Sequence, residues 1–89
     1  MAEIGPRFAV ADYRVIAERL PAGALVRLSY VLEACLARTS STMASYATRD
    51  ASKAREWFLR ERAISDCHAV LVEGYERRFG EFPRGVRHG

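Results

Sequence analysis

His68 stands beside Cys67, with Glu61 and Glu73 nearby in sequence, and this is the one place in the chain where metal-ligand side chains gather. A zinc or di-iron site built on a helix needs its ligands one turn apart on a single face, as in a Glu-x-x-His pair or two histidines four residues apart. Neither spacing occurs here, and adjacent helical residues point about 100° apart. A partly buried histidine next to an apolar thiol is the reading that follows, with no metal and no cofactor. Ser65, Asp66 and His68 supply the letters of a nucleophile, acid and base. A contiguous helical stretch cannot place them in relay geometry with an oxyanion hole, so they carry no catalytic assignment. The glycines read as scattered over turns and ends, and none forms a phosphate-binding loop. The expectation is a protein without an active site of its own.

The remaining chemistry is binding chemistry. Arg49, Lys53 and Arg60 fall along one face of a predicted helix, and Arg55 with Arg62 lies on an adjacent line. Such a row can follow a phosphate backbone. Glu56 interrupts it and is placed to pair with Arg60 at i, i+4, as Glu73 is with Arg77, which describes an ordinary solvated face. The segment from Glu33 to Tyr46 loosely resembles a helix-turn-helix, with Thr39-Ser40-Ser41-Thr42 as the turn. In that alternative Thr42, Ser45, Tyr46 and Arg49 approach bases, while Lys53, Arg55 and Arg60 approach phosphates. The turn lacks the usual glycine, and the recognition helix runs on into a long apolar-striped one. The aromatic residues point elsewhere. Of Trp57, Phe58, Tyr75, Phe79 and Phe82 most should be core, but Trp57 and Phe58 face neighbouring directions on one helix. Either that helix has partners on two sides or one of the two rings is exposed as an interface anchor. Tyr30, Trp57, Phe58, Tyr75 and Phe79 are therefore the candidate protein-interface residues.

These side chains need elements to hold them. Pro6 behind Gly5 suits a helix start, and residues 1–6 read as a flexible lead-in. From Phe8 to Arg19 the apolar residues Ala9, Tyr13, Ile16, Ala17 and Leu20 recur at helical spacing, with a short strand at Phe8 to Ala11 as a minor alternative. Leu20-Pro21-Ala22-Gly23 fits a type I turn and separates this first helix from the next. Between Ala24 and Arg38 the sequence is apolar on nearly all sides, which predicts a central helix or an oligomer interface. The hydroxyl cluster at Thr39 to Thr42 reads as a helix junction. Apolar positions from Met43 to Phe79 then keep a helical period too long for one small domain to cover. Either the helix breaks, near Thr48-Arg49-Asp50 or Ser65-Asp66, or it is continuous and a second chain packs on it, and Gly80 with Pro83 marks the end. Residues 81–89 read as a tail.

The 89 residues with 49% hydrophobic and 28% charged side chains match a soluble globular domain, and exclude a disordered tail or a membrane span. A net charge of +3 permits nucleic acid or an acidic protein as partner without requiring either. Cys35 and Cys67 sit in apolar helical patterns as core thiols, and no signal-peptide pattern opens the chain, so a cytoplasmic location is expected. The predicted fold over 1–89 is all-α: a small bundle in which a hairpin of the first two helices packs on a long or kinked third. The function expected is a non-enzymatic interaction module, an adaptor, assembly subunit or small inhibitor. It would associate with itself as a homodimer and with a larger protein or nucleoprotein complex. The alternative is a small DNA-binding regulator.

Overall fold

The computed structural model describes residues 8–83, and the lead-in expected over 1–6 lies outside them. Three helices follow one another among the described residues: α1 (Val10–Arg19), α2 (Ala22–Tyr46) and α3 (Ala51–Phe79). There is no strand among the described residues, and Phe8-Ala9 leads directly into α1. At 1.5 Å per residue α3 spans about 43 Å, which matches the longest dimension of a molecule measuring 44 × 34 × 17 Å. None of the helices is long and apolar enough to cross a membrane.

Pro21 separates α1 from α2. Its ring holds Leu20 extended (φ −76°, ψ 151°), which ends α1, and Pro21 itself caps α2 with its carbonyl accepting from the Leu25 amide. The turn expected across Leu20 to Gly23 is thus shorter, because Ala22 and Gly23 are already helical.

The junction expected at Thr39 to Thr42 does not exist, and α2 runs through it to Tyr46. Instead of capping a new helix, Thr39 Oγ1 donates to the Cys35 carbonyl at 2.7 Å and Thr42 Oγ1 to the Arg38 carbonyl at 2.9 Å, as Ser45 Oγ beyond them does to Thr42 at 2.8 Å, while Ser40 Oγ donates across to Glu61 of α3. The helix-turn-helix assignment loses its turn. Of the two breaks considered, the chain uses the first. Residues 47–50 make the reversal, and the Asp50 side chain accepts from the Lys53 amide at 3.1 Å as the cap of α3. Ser65 and Asp66 sit inside α3, on its exposed side. At the other end Gly80 leaves the helix at φ 100°, a conformation that L side chains rarely adopt, and donates to Glu76 O.

Both α1 and α2 pack against α3, and they touch each other little. The centre of the fold is therefore α3, in place of the more apolar α2: only the long helix reaches both partners. The register is clear from cross-helix contacts. Glu33 meets His68 and Ser40 meets Glu61, so α2 and α3 are antiparallel. Ala17 meets Gly74, and Arg78 bonds Ala17 and Leu20, so α1 lies along the C-terminal half of α3. Gly74 is an interior helical residue, not a turn glycine. A Cβ there would stand 2.5 Å from the Ala17 Cβ, so its lack of a side chain is what lets α1 come this close.

The core lies wholly at this three-helix end. It comprises Tyr13, Leu25, Leu32, Ile64, Cys67, Leu71 and Phe82. Phe82 belongs to the stretch read as tail, yet it is buried against Tyr75, with ring centroids 5.0 Å apart. Beyond Thr39 on α2 and ahead of Ile64 on α3, no residue is buried. The outer halves of α2 and α3 form a two-helix arm with no third layer.

Candidate functional site

Two helices side by side cannot enclose an interior, so the arm must show apolar surface on the flanks of its seam. It carries one groove on each flank. Met43, Ala44 and Ala47 at the end of α2, with Ala51, Ala54 and Phe58 of α3, line a shallow groove of about 340 Å³. Its floor is made of alanines, Phe58 stands at its edge 39% exposed, and Leu59 beside it is 52% exposed. Of these residues sequence reasoning named only Phe58 as a contact. The alanines carry little hydrophobic area each, and their convergence depends on the reversal at 47–50.

The opposite groove, about 260 Å³, runs on from the start of α1. Phe8 closes its near end, Cys35, Ile64 and Trp57 make an apolar floor, and Arg38 and Arg60 stand at its rim. Arg60 does not take the expected i, i+4 pair with Glu56. Its guanidinium lies 4.7 Å over the Trp57 ring, three residues back on the same face. Arg38 reaches only the Cys35 sulfur, at 3.6 Å. Neither rim arginine has a carboxylate partner among the described residues.

The five aromatic candidates do not share a surface. Trp57 and Phe58 lie on the arm, in different grooves, and Tyr30 is on the outer side of α2 near the base. Tyr75 and Phe79 lie at the far end of α3, 5.2 Å apart, with Tyr75 packed on the core and Arg78 4.6 Å over Phe79. The nucleic-acid candidates divide as well. Thr42 and Ser45 spend their hydroxyl protons on α2 carbonyls, and Arg49 donates to Ser45 O while lying 4.5 Å over the Tyr46 ring. Lys53 and Arg60 lie on one side of α3, whereas Arg55 borders the alanine groove on the other. No single surface presents all seven.

His68 faces α2, with Nε2 buried 3.4 Å from Glu33 Oε2 but without a well-angled hydrogen bond. Cys67 points into the core with no exposure. Burial, followed by the charges of Asp66 and Asp12, raises its thiol pKa above the ordinary 9.0, which disfavours the reactive thiolate. Tyr13 is raised in the same way, by burial first and then by Cys67, Cys35 and Asp12. Among the described residues no three His, Cys, Asp or Glu side chains converge as metal ligands. Ser65 and Asp66 are exposed on α3. No family model matches this chain, and neither does any curated protein or solved structure.

Proposed function

We propose that this chain is a non-enzymatic helical interaction module that associates with itself and with a larger protein through its α2–α3 arm. The observation that carries the reading is the arm: thirteen successive residues of α3, 51–63, contain none that is buried, although Trp57, Phe58 and Leu59 lie among them. An exposed apolar surface of this kind on a small domain is ordinarily covered by a partner.

The alanine groove suits a second copy. It carries a hole, at Ala47, Ala51 and Ala54, and a projecting ring, Phe58, on the same surface. A two-fold interface needs this self-complementarity, because each patch must meet its own copy. Antiparallel arms then place each Phe58 in the other's alanine groove, giving a four-helix layer at the arm with spacing set by small residues. Adaptors, assembly subunits and small inhibitors are the roles open to such a module.

Native mass spectrometry of the wild-type chain and of Phe58→Glu at about 20 μM tests it. The wild type is expected as a dimer and the variant as a monomer with unchanged helical circular dichroism. A wild-type chain that stays monomeric at that concentration and up to about 200 μM, or a variant as dimeric as the wild type, overturns the self-association.

A further inference from the structure

Resting on the reading of the arm as an interaction surface, we infer that the groove between Arg38 and Arg60 is a docking site for an acidic amphipathic helix of a partner protein. Three observations carry this. The floor is mainly apolar, made of Ile64, Cys35 and Trp57 with Thr39 and Thr42 beside them, and Phe8 closes the end where α1 begins. The groove thus extends alongside the two-helix arm in the third-layer position that α1 leaves open.

The rim is positive and unpaired. Arg60 rests on an indole ring and Arg38 on a thiol, so both guanidiniums remain available for carboxylates. The charge of the arm as a whole agrees with this. Residues 38–62 hold six cations, Arg38, Arg49, Lys53, Arg55, Arg60 and Arg62, against three carboxylates, Asp50, Glu56 and Glu61. Two of those three are engaged: Asp50 caps α3, and Glu61 accepts from Ser40. The other described residues carry five cations and seven carboxylates. A partner with carboxylates flanking an apolar stripe matches this surface, and a basic or neutral helix does not.

Trp57 is the only tryptophan in the chain, and it forms part of the groove floor beneath Arg60. Its emission therefore reports occupancy directly. The probe is a synthetic, tryptophan-free peptide of about 18 residues with leucine at i, i+3, i+4 and i+7 and glutamate between. The control replaces every glutamate by lysine.

The acidic peptide is expected to shift Trp57 emission saturably, the lysine peptide not. Arg38→Glu with Arg60→Glu should weaken the acidic peptide about tenfold or more and admit the lysine peptide. Should the reversal disturb folding, Arg38→Gln with Arg60→Gln should lower affinity in the same direction. Loss of response to the acidic peptide up to about 1 mM, equal response to both peptides, or displacement of the acidic peptide by a short DNA duplex bound at the same groove each overturns the proposal.

Phe58→Glu separates this inference from the self-association. It lies on the other flank, so the monomeric variant should bind the acidic peptide with unchanged affinity. Peptide binding by a wild type that never dimerises removes only the self-association; a dimer blind to the acidic peptide removes only this site.

Discussion

Gly74→Ala is a change that the helix itself would welcome and the fold should reject. Replacing a mid-helix glycine by alanine ordinarily stabilises by about 1 kcal/mol, since the backbone loses less freedom on folding. Here the new methyl would stand 2.5 Å from the Ala17 Cβ and 3.5 Å from the Ala17 Cα and carbonyl oxygen. Ordinary contact requires a gap nearer 3.4–4 Å, so α1 must retreat by about 1 Å. Forcing a methyl into a packed interface costs about 1–3 kcal/mol. The same retreat strains the two 2.7 Å bonds from Arg78 Nη1 to Ala17 O and Leu20 O, worth about another 1–2 kcal/mol. The balance is a net destabilisation of roughly 1–4 kcal/mol. In urea, with a slope of about 1 kcal/mol per molar for so small a domain, the midpoint should fall by about 1–4 M. Ala17→Gly in the Gly74→Ala background should recover part of the loss, with a coupling of about 1 kcal/mol between the sites. A midpoint unchanged or raised in Gly74→Ala would refute the close α1–α3 contact.

The reversal between α2 and α3 and the buried titratable groups give two further expectations. Asp50→Ala removes the side-chain cap of α3 and should cost about 1 kcal/mol by urea unfolding, with loss of protection at the first turn of α3 in hydrogen exchange; equal stability would mean that residues 47–50 need no cap. Cys67 and Tyr13 both have folded pKa values raised above their ordinary 9.0 and 10.0, chiefly by burial. Their neutral forms favour the fold, so this contribution is complete below the unfolded values and is lost as pH rises from them through the raised folded ones. Urea midpoints should decline between about pH 8 and about pH 10.5, and Cys67→Ala with Tyr13→Phe should flatten the decline; a wild-type midpoint constant over that range would contradict the burial of these groups.

Helical periodicity carried most of the architecture, because a 3.6-residue stripe is a local property of the chain. The reversal was also legible. Thr48-Arg49-Asp50 combines a weak helix-former with a residue suited to capping, and Asp50 caps α3. Thr39 to Thr42 misled because Ser and Thr hydroxyls serve equally as caps or as donors to carbonyls one turn back, and only the packing of Thr39 against the core selects the second. The second helix looked central because its alanines count as apolar, yet Ala34 and Ala37 are exposed and contribute little area. Gly74 was missed, and Phe82 counted both among the mainly core aromatics and in the tail, for a different reason: which glycine lies beneath a neighbouring backbone, and which residue past a cap folds back, are questions of tertiary placement. Arg38 and Arg60 are far apart in sequence and become neighbours only through the antiparallel register of the arm. The expected Glu56–Arg60 pair gave way to Arg60 on Trp57, a contact that a helix-surface rule for charges does not weigh.

Hydrogen exchange followed at low and high protein concentration tests most directly whether the arm is where the chain meets its partner copy. Amides in 43–59 are expected to gain protection as concentration rises, while those of 64–79, already inside the three-helix end, change little. Protection that rises only around 64–79, or that is independent of concentration throughout 43–59 over a range reaching about 200 μM, would contradict this placement of the contact.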